Sequence, residues 1–191
     1  MAQNKSMEAG LGIRTGLSMK KTLIITIGIL IVGGVGWLVI SNSTVPDESN
    51  RQAQFEKAPD FALQDYDGKT MQLADFSGKP MVINSWAAWC PFCRKELVDF
   101  AAAQKEFGDK VVIIAVDRAE TRDIAKKYTD ELGVTGDMLF LLDPSDNFYQ
   151  SIAGFSMPET IFVDSNGNII FHKRGPMDIS EIRERIQQLL N

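Results

Sequence analysis

The chain is poor in the residues that build metal sites and covalent frameworks. Its 191 residues include two cysteines and one histidine, His172. A structural zinc site takes four ligands from Cys, His and carboxylate, and this chain can supply few of them. Covalent c-type haem attachment wants a histidine directly after the second cysteine, where Arg94 stands instead. Positive charge is also short, with 20 Lys and Arg against 25 Asp and Glu for a net charge of −5. That balance leaves no basic footprint for nucleic acid. There is no internal repeat and no low-complexity tract.

Both cysteines fall in one stretch, Trp86-Ala87-Ala88-Trp89-Cys90-Pro91-Phe92-Cys93-Arg94-Lys95-Glu96, at the seam between an apolar run and an amphipathic one. Pro91 suits the first position of a helix, because the N–H it lacks would go unpaired there. With Cys90 as the cap of that helix, the unpaired N–H groups and positive dipole end face its sulfur and favour thiolate over thiol. Cys93 then lies in the first turn, within reach of a small disulfide ring with Cys90. A disulfide closing so short a loop removes little entropy from the unfolded chain, so a redox role is expected ahead of a structural one.

Charge is unevenly spread. Residues 1–40 carry Lys5, Arg14, Lys20 and Lys21 against Glu8, a balance of +3, which leaves −8 for residues 41–191. Thr22 to Ile40 is 19 residues without a charge, 12 of them Leu, Ile or Val. At about 1.5 Å per residue it reaches roughly 28 Å, enough to span a bilayer. Its length exceeds the apolar core of a cleaved signal peptide, for which Ser41-Asn42-Ser43 would be the cleavage site, so an uncleaved anchor is expected. Lys20 and Lys21 before it place residues 1–21 as a cytoplasmic tail and everything after residue 40 outside. Residues 41–57 are polar and aperiodic and read as a linker. The remaining 134 residues, 58–191, match a single domain.

Within that domain, alternating segments at Phe61–Asp65 and Lys69–Ala74 around Tyr66-Asp67-Gly68 predict a β-hairpin, followed by a short turn or helix at Ala74–Ser77. Pro80–Ser85, Val111–Val116 and Met138–Leu142 are apolar runs suited to buried strands. Helices are expected at Pro91–Phe107, closed by Gly108, and at Thr121–Leu132, closed by Gly133, with Ile124, Tyr128 and Leu132 inward. A short helix should run from Asp143-Pro144-Ser145 to Ala153. Thr160–Val163 and Asn168–Lys173 flank Asp164-Ser165-Asn166-Gly167 as a second hairpin, and Ile179–Leu190 carries an apolar stripe. Strand and helix alternate, and an antiparallel hairpin precedes the final helix. This order predicts an α/β sandwich with a mixed central sheet, preceded by a single transmembrane helix.

The ordering resembles a thioredoxin fold. Trp-x-x-Trp-Cys-x-x-Cys-x-x-Glu, with Met157-Pro158-Glu159-Thr160, the Ala58-Pro59-Asp60-Phe61 opening and the Asp67-Gly68-Lys69 turn, is similar to the membrane-anchored TlpA/ResA-like thiol-disulfide oxidoreductases. The N-terminal hairpin extension and the helix–strand insertion at about residues 119–142 resemble that family too. The resemblance covers residues 58–191.

It implies that Cys90 is the exposed attacking thiolate and Cys93 the resolving thiol. Pro158 matches a proline that is cis opposite the cysteine pair, leaving the Met157 backbone to pair with substrate; the alternative is an ordinary turn proline. Glu96 matches the family's proton-handling acid, leaning toward the resolving sulfur, where a generic helical Glu would be solvated. Asn84 stands where cytosolic thioredoxins carry a buried acid. Trp89, Pro91 and Phe92 would form the substrate-binding lip around Cys90, whereas Trp86 belongs to the core and Arg94 either lowers a thiol pKa or is a surface charge. No cofactor is implied beyond the cysteine pair.

The implied partners are protein thiols and disulfides, and an integral-membrane thiol carrier that supplies electrons, as in apocytochrome c maturation. Pro91-Phe92 lacks a cation to hold the thiolate down, which leans the pair toward a reductant; the alternative is an oxidant inserting disulfides into exported proteins. A peroxiredoxin-type peroxidase would carry Pro and Thr where Ile83 and Ala87 stand. A copper chaperone would need His172 beside the two thiolates, but a lone His within a strand is ordinarily structural.

Overall fold

Short apolar runs rich in Val, Ile and Phe form the strands of one sheet, and the computed structural model describes them within residues 56–191. The tail expected over 1–21, the span over 22–40 and residues 41–55 of the linker lie outside the described residues. Among the described residues no helix is long and apolar enough to cross a membrane. The last two linker residues are already paired: the Glu56 carbonyl accepts the Ile169 N–H at 2.8 Å, and Lys57 bridges Asn168.

The strands are β1 (Ala62–Asp65), β2 (Thr70–Gln72), β3 (Met81–Trp86), β4 (Val112–Arg118), β5 (Leu139–Asp143), β6 (Glu159–Val163) and β7 (Ile169–Arg174), in the order β2-β1-β5-β4-β3-β6-β7. β3, β4 and β5 are parallel, and the other pairings are antiparallel. The parallel core explains why β3 is buried at every residue rather than at alternate ones. Helices α1 (Cys93–Phe107) and α2 (Arg122–Leu132) connect the parallel strands. Both crossovers step in the same direction across the sheet, so right-handed connection puts both helices on one face. There Leu97 and Ala101 of α1 and Ala125 of α2 share a cluster with Trp86. The last helix, α4 (Ile179–Leu189), packs Ile182 and Ile186 beside Phe100 and Ala103 of α1. Asp178 caps α4 by accepting the Ser180 and Glu181 N–H groups. On the opposite face, α3 (Asn147–Ser151) and a 3₁₀ turn at Leu73–Phe76 bring Phe148 and Phe76 over Ile83, Ile114 and Ile161. The product is the expected α/β sandwich with a mixed central sheet.

Three local expectations need correction. Helix α1 starts at Cys93 with Phe92 as its cap, not at Pro91 with Cys90 as its cap. Pro91 and Phe92 form the turn that leads into it, a use of proline that fits its fixed φ equally well. In α2 the buried residues are Ala125 and Thr129, while Ile124 is 49% exposed. Trp86 and Tyr66 account for the shift: Tyr128 stacks on the Trp86 ring and the Thr129 hydroxyl reaches the Tyr66 oxygen, which rotates Ile124 outward. The short helix α3 begins at Asn147, because the Asp143 carboxylate accepts the Asn147 and Phe148 N–H groups from outside it, and ends at Ser151.

Past α3 the chain turns tightly at Gly154. A Cβ there would lie 2.5 Å from a Tyr149 ring carbon. That ring cannot move aside easily, since its hydroxyl donates to the Ser156 carbonyl at 2.7 Å and the Arg118 guanidinium sits 3.7 Å from its centroid. Gly154→Ala should therefore lower the unfolding free energy by about 1–3 kcal/mol, the usual cost of overpacking, read from the urea midpoint. An unchanged midpoint would show that the Tyr149 ring yields at no cost.

Candidate redox site

The parallel strands end at one edge of the sheet, and there the loop from Trp86 carries Cys90 up to the start of α1. The Cys90 N–H donates to the Ala87 carbonyl at 3.1 Å, closing a turn. Cys90 and Cys93 form a disulfide with their Cα atoms 5.4 Å apart. The Cys93 N–H, first in α1, lies 3.2 Å from the Cys90 sulfur. So although Cys90 is not the helix cap, its sulfur occupies the place where the helix presents an unpaired donor.

Cys90 is not exposed, contrary to expectation. Both cysteines are buried, in one cluster with Trp86, Leu97 and Tyr66. The Cys90 sulfur is bonded to Cys93, whose position on α1 faces the core. Exposure belongs to the neighbours: Trp89 and Phe92 are each 60% accessible, and Pro91 is exposed beside them. Trp86 is fully buried, as expected. Arg94 is exposed with its guanidinium 5.7 Å from the Tyr128 ring centroid, which makes it a surface charge.

Glu96 is fully buried, one turn after Cys93 on the same helical face. Its Oε2 accepts from the Asn84 amide at 3.0 Å and its Oε1 from the Met177 N–H at 2.8 Å. The second N–H of the same Asn84 amide reaches the Thr160 hydroxyl at 2.9 Å. Burial pushes the Glu96 carboxyl up to about 7, against the partial relief of these two donors. A small cavity lined by Pro91, Phe92, Lys95, Glu96, Pro176 and Met177 leads to it. A larger cavity lies away from the sulfurs, between β1, β5 and α3, and contains no residue of the pair.

The Met157–Pro158 peptide bond is cis. Met157 packs, half-buried, against the cluster that holds both cysteines, and the Pro158 carbonyl accepts the Gly175 N–H at 2.9 Å. Sequence reasoning missed what holds this loop. Glu159, fully buried, accepts the Phe155 and Ser156 N–H groups at 2.8 and 2.9 Å. Its other oxygen meets Arg174 at 3.2 Å and lies 2.7 Å from the His172 ring, without the alignment of a hydrogen bond. His172 is therefore engaged beside Glu159, and Phe155, 81% exposed, stands at the outer edge of the same loop.

The comparisons with known proteins agree with this geometry. The Redoxin family model matches residues 53–186. The chain is 28% identical over 169 residues to the thioredoxin-like protein YneN of Bacillus subtilis strain 168, covering 88% of this chain and 98% of that one. It is also 28% identical over 171 residues to the thiol-disulfide oxidoreductase ResA of the same organism, covering 88% and 93%. Among solved structures, a thiol:disulfide interchange protein of the DsbE type from Chlorobium tepidum superposes with a TM-score of 0.66 at 26% identity, over 72% of this chain and 97% of that one. The sheet order, the buried cysteine pair and these matches together place the chain in the Redoxin family, as a ResA-like thiol-disulfide oxidoreductase of the thioredoxin superfamily.

Proposed function

We propose that this oxidoreductase is a tethered reductant of protein disulfides, working on the outer side of a membrane. The observation that carries the reading is the placement of Glu96: a fully buried carboxyl, held by the Asn84 amide and the Met177 N–H one helical turn behind the resolving cysteine, where burial pushes it up to about 7. An acid poised there can take or return a proton at the pH of use.

In the reduced form the Cys90 thiolate, facing the Cys93 N–H, attacks a client disulfide. One client sulfur bonds to Cys90 and the other leaves as thiolate. Cys93 then passes its proton to Glu96 and attacks the Cys90 sulfur, re-forming the intramolecular disulfide and releasing the second client thiolate. Two electrons move to the client, and a thiol carrier in the membrane restores them. Trp89, Pro91 and Phe92 form the apolar lip that receives the client, and the cis Met157–Pro158 segment supports the client chain on its other side. The run at 22–40 is the anchor, with residues 1–21 cytoplasmic and 41–57 the linker. Apocytochrome c is the client class that the resemblance to ResA supports. Pro91-Phe92 supplies no cation to stabilise the thiolate, which favours reduction over oxidation of clients.

Three outcomes test this reading. Cys93→Ala should accumulate mixed disulfides on Cys90, detectable as adducts on non-reducing gels; adducts in Cys90→Ala and none in Cys93→Ala would reverse the two roles. Equilibration with glutathione should give a potential well below about −150 mV, and a value above it would make the protein an oxidant. The third concerns Glu96. Its folded value near 7 lies above its ordinary 4.5, so between those pH values the native state holds a proton that the unfolded state has released. Stability contributed by this group therefore falls as pH rises from about 4.5 to 7, by about 3 kcal/mol, and then levels off. Glu96→Gln should flatten that decline in urea titrations at pH 5 and pH 8 and slow mixed-disulfide resolution; an unaltered decline would place Glu96 outside the proton chemistry.

A further inference from the structure

The strand register sets Asp117 of β4 directly beside Trp86, the residue that ends β3 and begins the redox loop. Asp117 is almost wholly buried, and neither of its oxygens receives a well-formed hydrogen bond from an N–H or O–H among the described residues. An ionised carboxylate stranded in this way is strongly disfavoured. The groups that approach it both belong to Glu120, whose backbone N–H partly relieves its burial and whose side chain is another acid. Glu120 in turn accepts the Ala88 N–H at 2.7 Å, two residues before Cys90. Two carboxyl groups in contact can share a hydrogen bond only if one keeps a proton. The Glu120 carboxylate already has the Ala88 N–H, whereas Asp117 is approached only by the Glu120 N–H, without the alignment of a hydrogen bond, so the proton belongs to Asp117. Between the two acids Ala119 has φ +56, the left-handed region that a non-glycine residue rarely enters, and its N–H is held on the Asp143 carbonyl at 3.0 Å. This turn sends Glu120 back over the loop.

We propose that Asp117 is a positioning residue of the redox loop: it stays protonated, donates to Glu120, and so keeps the Glu120 carboxylate on the Ala88 N–H. The groups facing Asp117 offer no positive charge to replace the proton. Asp143 comes from β5, Glu120 from the turn after β4, and the Tyr66 hydroxyl from the end of β1. Arg122 is directed elsewhere, donating to the Tyr66 carbonyl at 3.2 Å. Burial, followed by Glu120, pushes the Asp117 carboxyl up to about 9. The pair therefore carries one negative charge through neutral pH. In alkali it carries two, and their repulsion drives Glu120 off the loop.

The direct readout is hydrogen exchange of the Ala88 amide, followed by NMR in the full chain and corrected for base-catalysed exchange. In the wild type, protection should drop by about tenfold or more across the alkaline range as the charged hydrogen bond is lost. Asp117→Asn supplies an N–H that does not titrate, so protection should persist into alkali. Asp117→Ala removes the donor, so protection should already be reduced about tenfold at pH 7, and the rate of insulin disulfide reduction should fall with it. Wild-type protection in Asp117→Ala, or an alkaline loss retained in Asp117→Asn, would overturn the proposal. Should Asp117→Ala fail to fold, the comparison of wild type with Asp117→Asn decides alone. The kinetic arm rests on the reductant reading and the amide arm does not. A wild type that leaves insulin intact while Ala88 behaves as expected would overturn the function and leave the positioning role standing.

Discussion

The hydrogen bond between the Asn84 amide and the Glu96 carboxyl is the interaction on which the rest of the site depends. Asn84 lies on the central strand β3, Glu96 on α1, and the same amide reaches Thr160 on β6 while the same carboxyl accepts the Met177 N–H ahead of α4. Four elements are thereby tied together directly behind the disulfide. A carboxyl placed there has no water to solvate it, and two donors only partly replace that water, so it titrates near neutrality instead of in the acid range. The fold thus fixes the position of the acid and sets its pKa by one arrangement.

The opposite wall of the site is built on a separate set of contacts. Glu159 gathers the Phe155 and Ser156 N–H groups, Tyr149 supports the Ser156 carbonyl from α3, and Gly175 ties down the Pro158 carbonyl from the end of β7. These contacts hold the cis Met157–Pro158 segment against the cluster that contains both cysteines. Polar groups do this work inside the protein, while the outer surface beside the pair is aromatic, through Trp89 and Phe92. A buried disulfide flanked by two exposed aromatic side chains fits a protein whose substrate is another polypeptide, because burying such rings is favourable for both partners.

Much of this was legible in the sequence because it is local. The apolar runs that became β3, β4 and β5, the glycine stop after α2 at Gly133, and the pairing of two cysteines three positions apart all follow from spacing. Errors arose where packing against distant residues, or the disulfide turn itself, decides a local outcome. Ile124 looked inward by period, yet Trp86 and Tyr66 claim the other side of α2. Pro91 suited a first helical position, yet the turn that carries the disulfide uses it two residues before the helix starts. Cys90 was expected at the surface, and it lies buried, bonded to Cys93 in the cluster with Trp86 and Leu97. Glu96 could be singled out by its spacing from Cys93, but its partners Asn84 and Met177 stand 12 and 81 residues away. Asp117 gave one unused signal, a charge ending an otherwise apolar strand run with a second acid three residues on.

The central claim is that a buried acid with a neutral pKa serves the cysteine pair. A carbon-13 NMR titration of the Glu96 carboxyl in the oxidised full chain measures it directly. A midpoint near 7 is expected, and a midpoint at the ordinary 4.5 would contradict that claim.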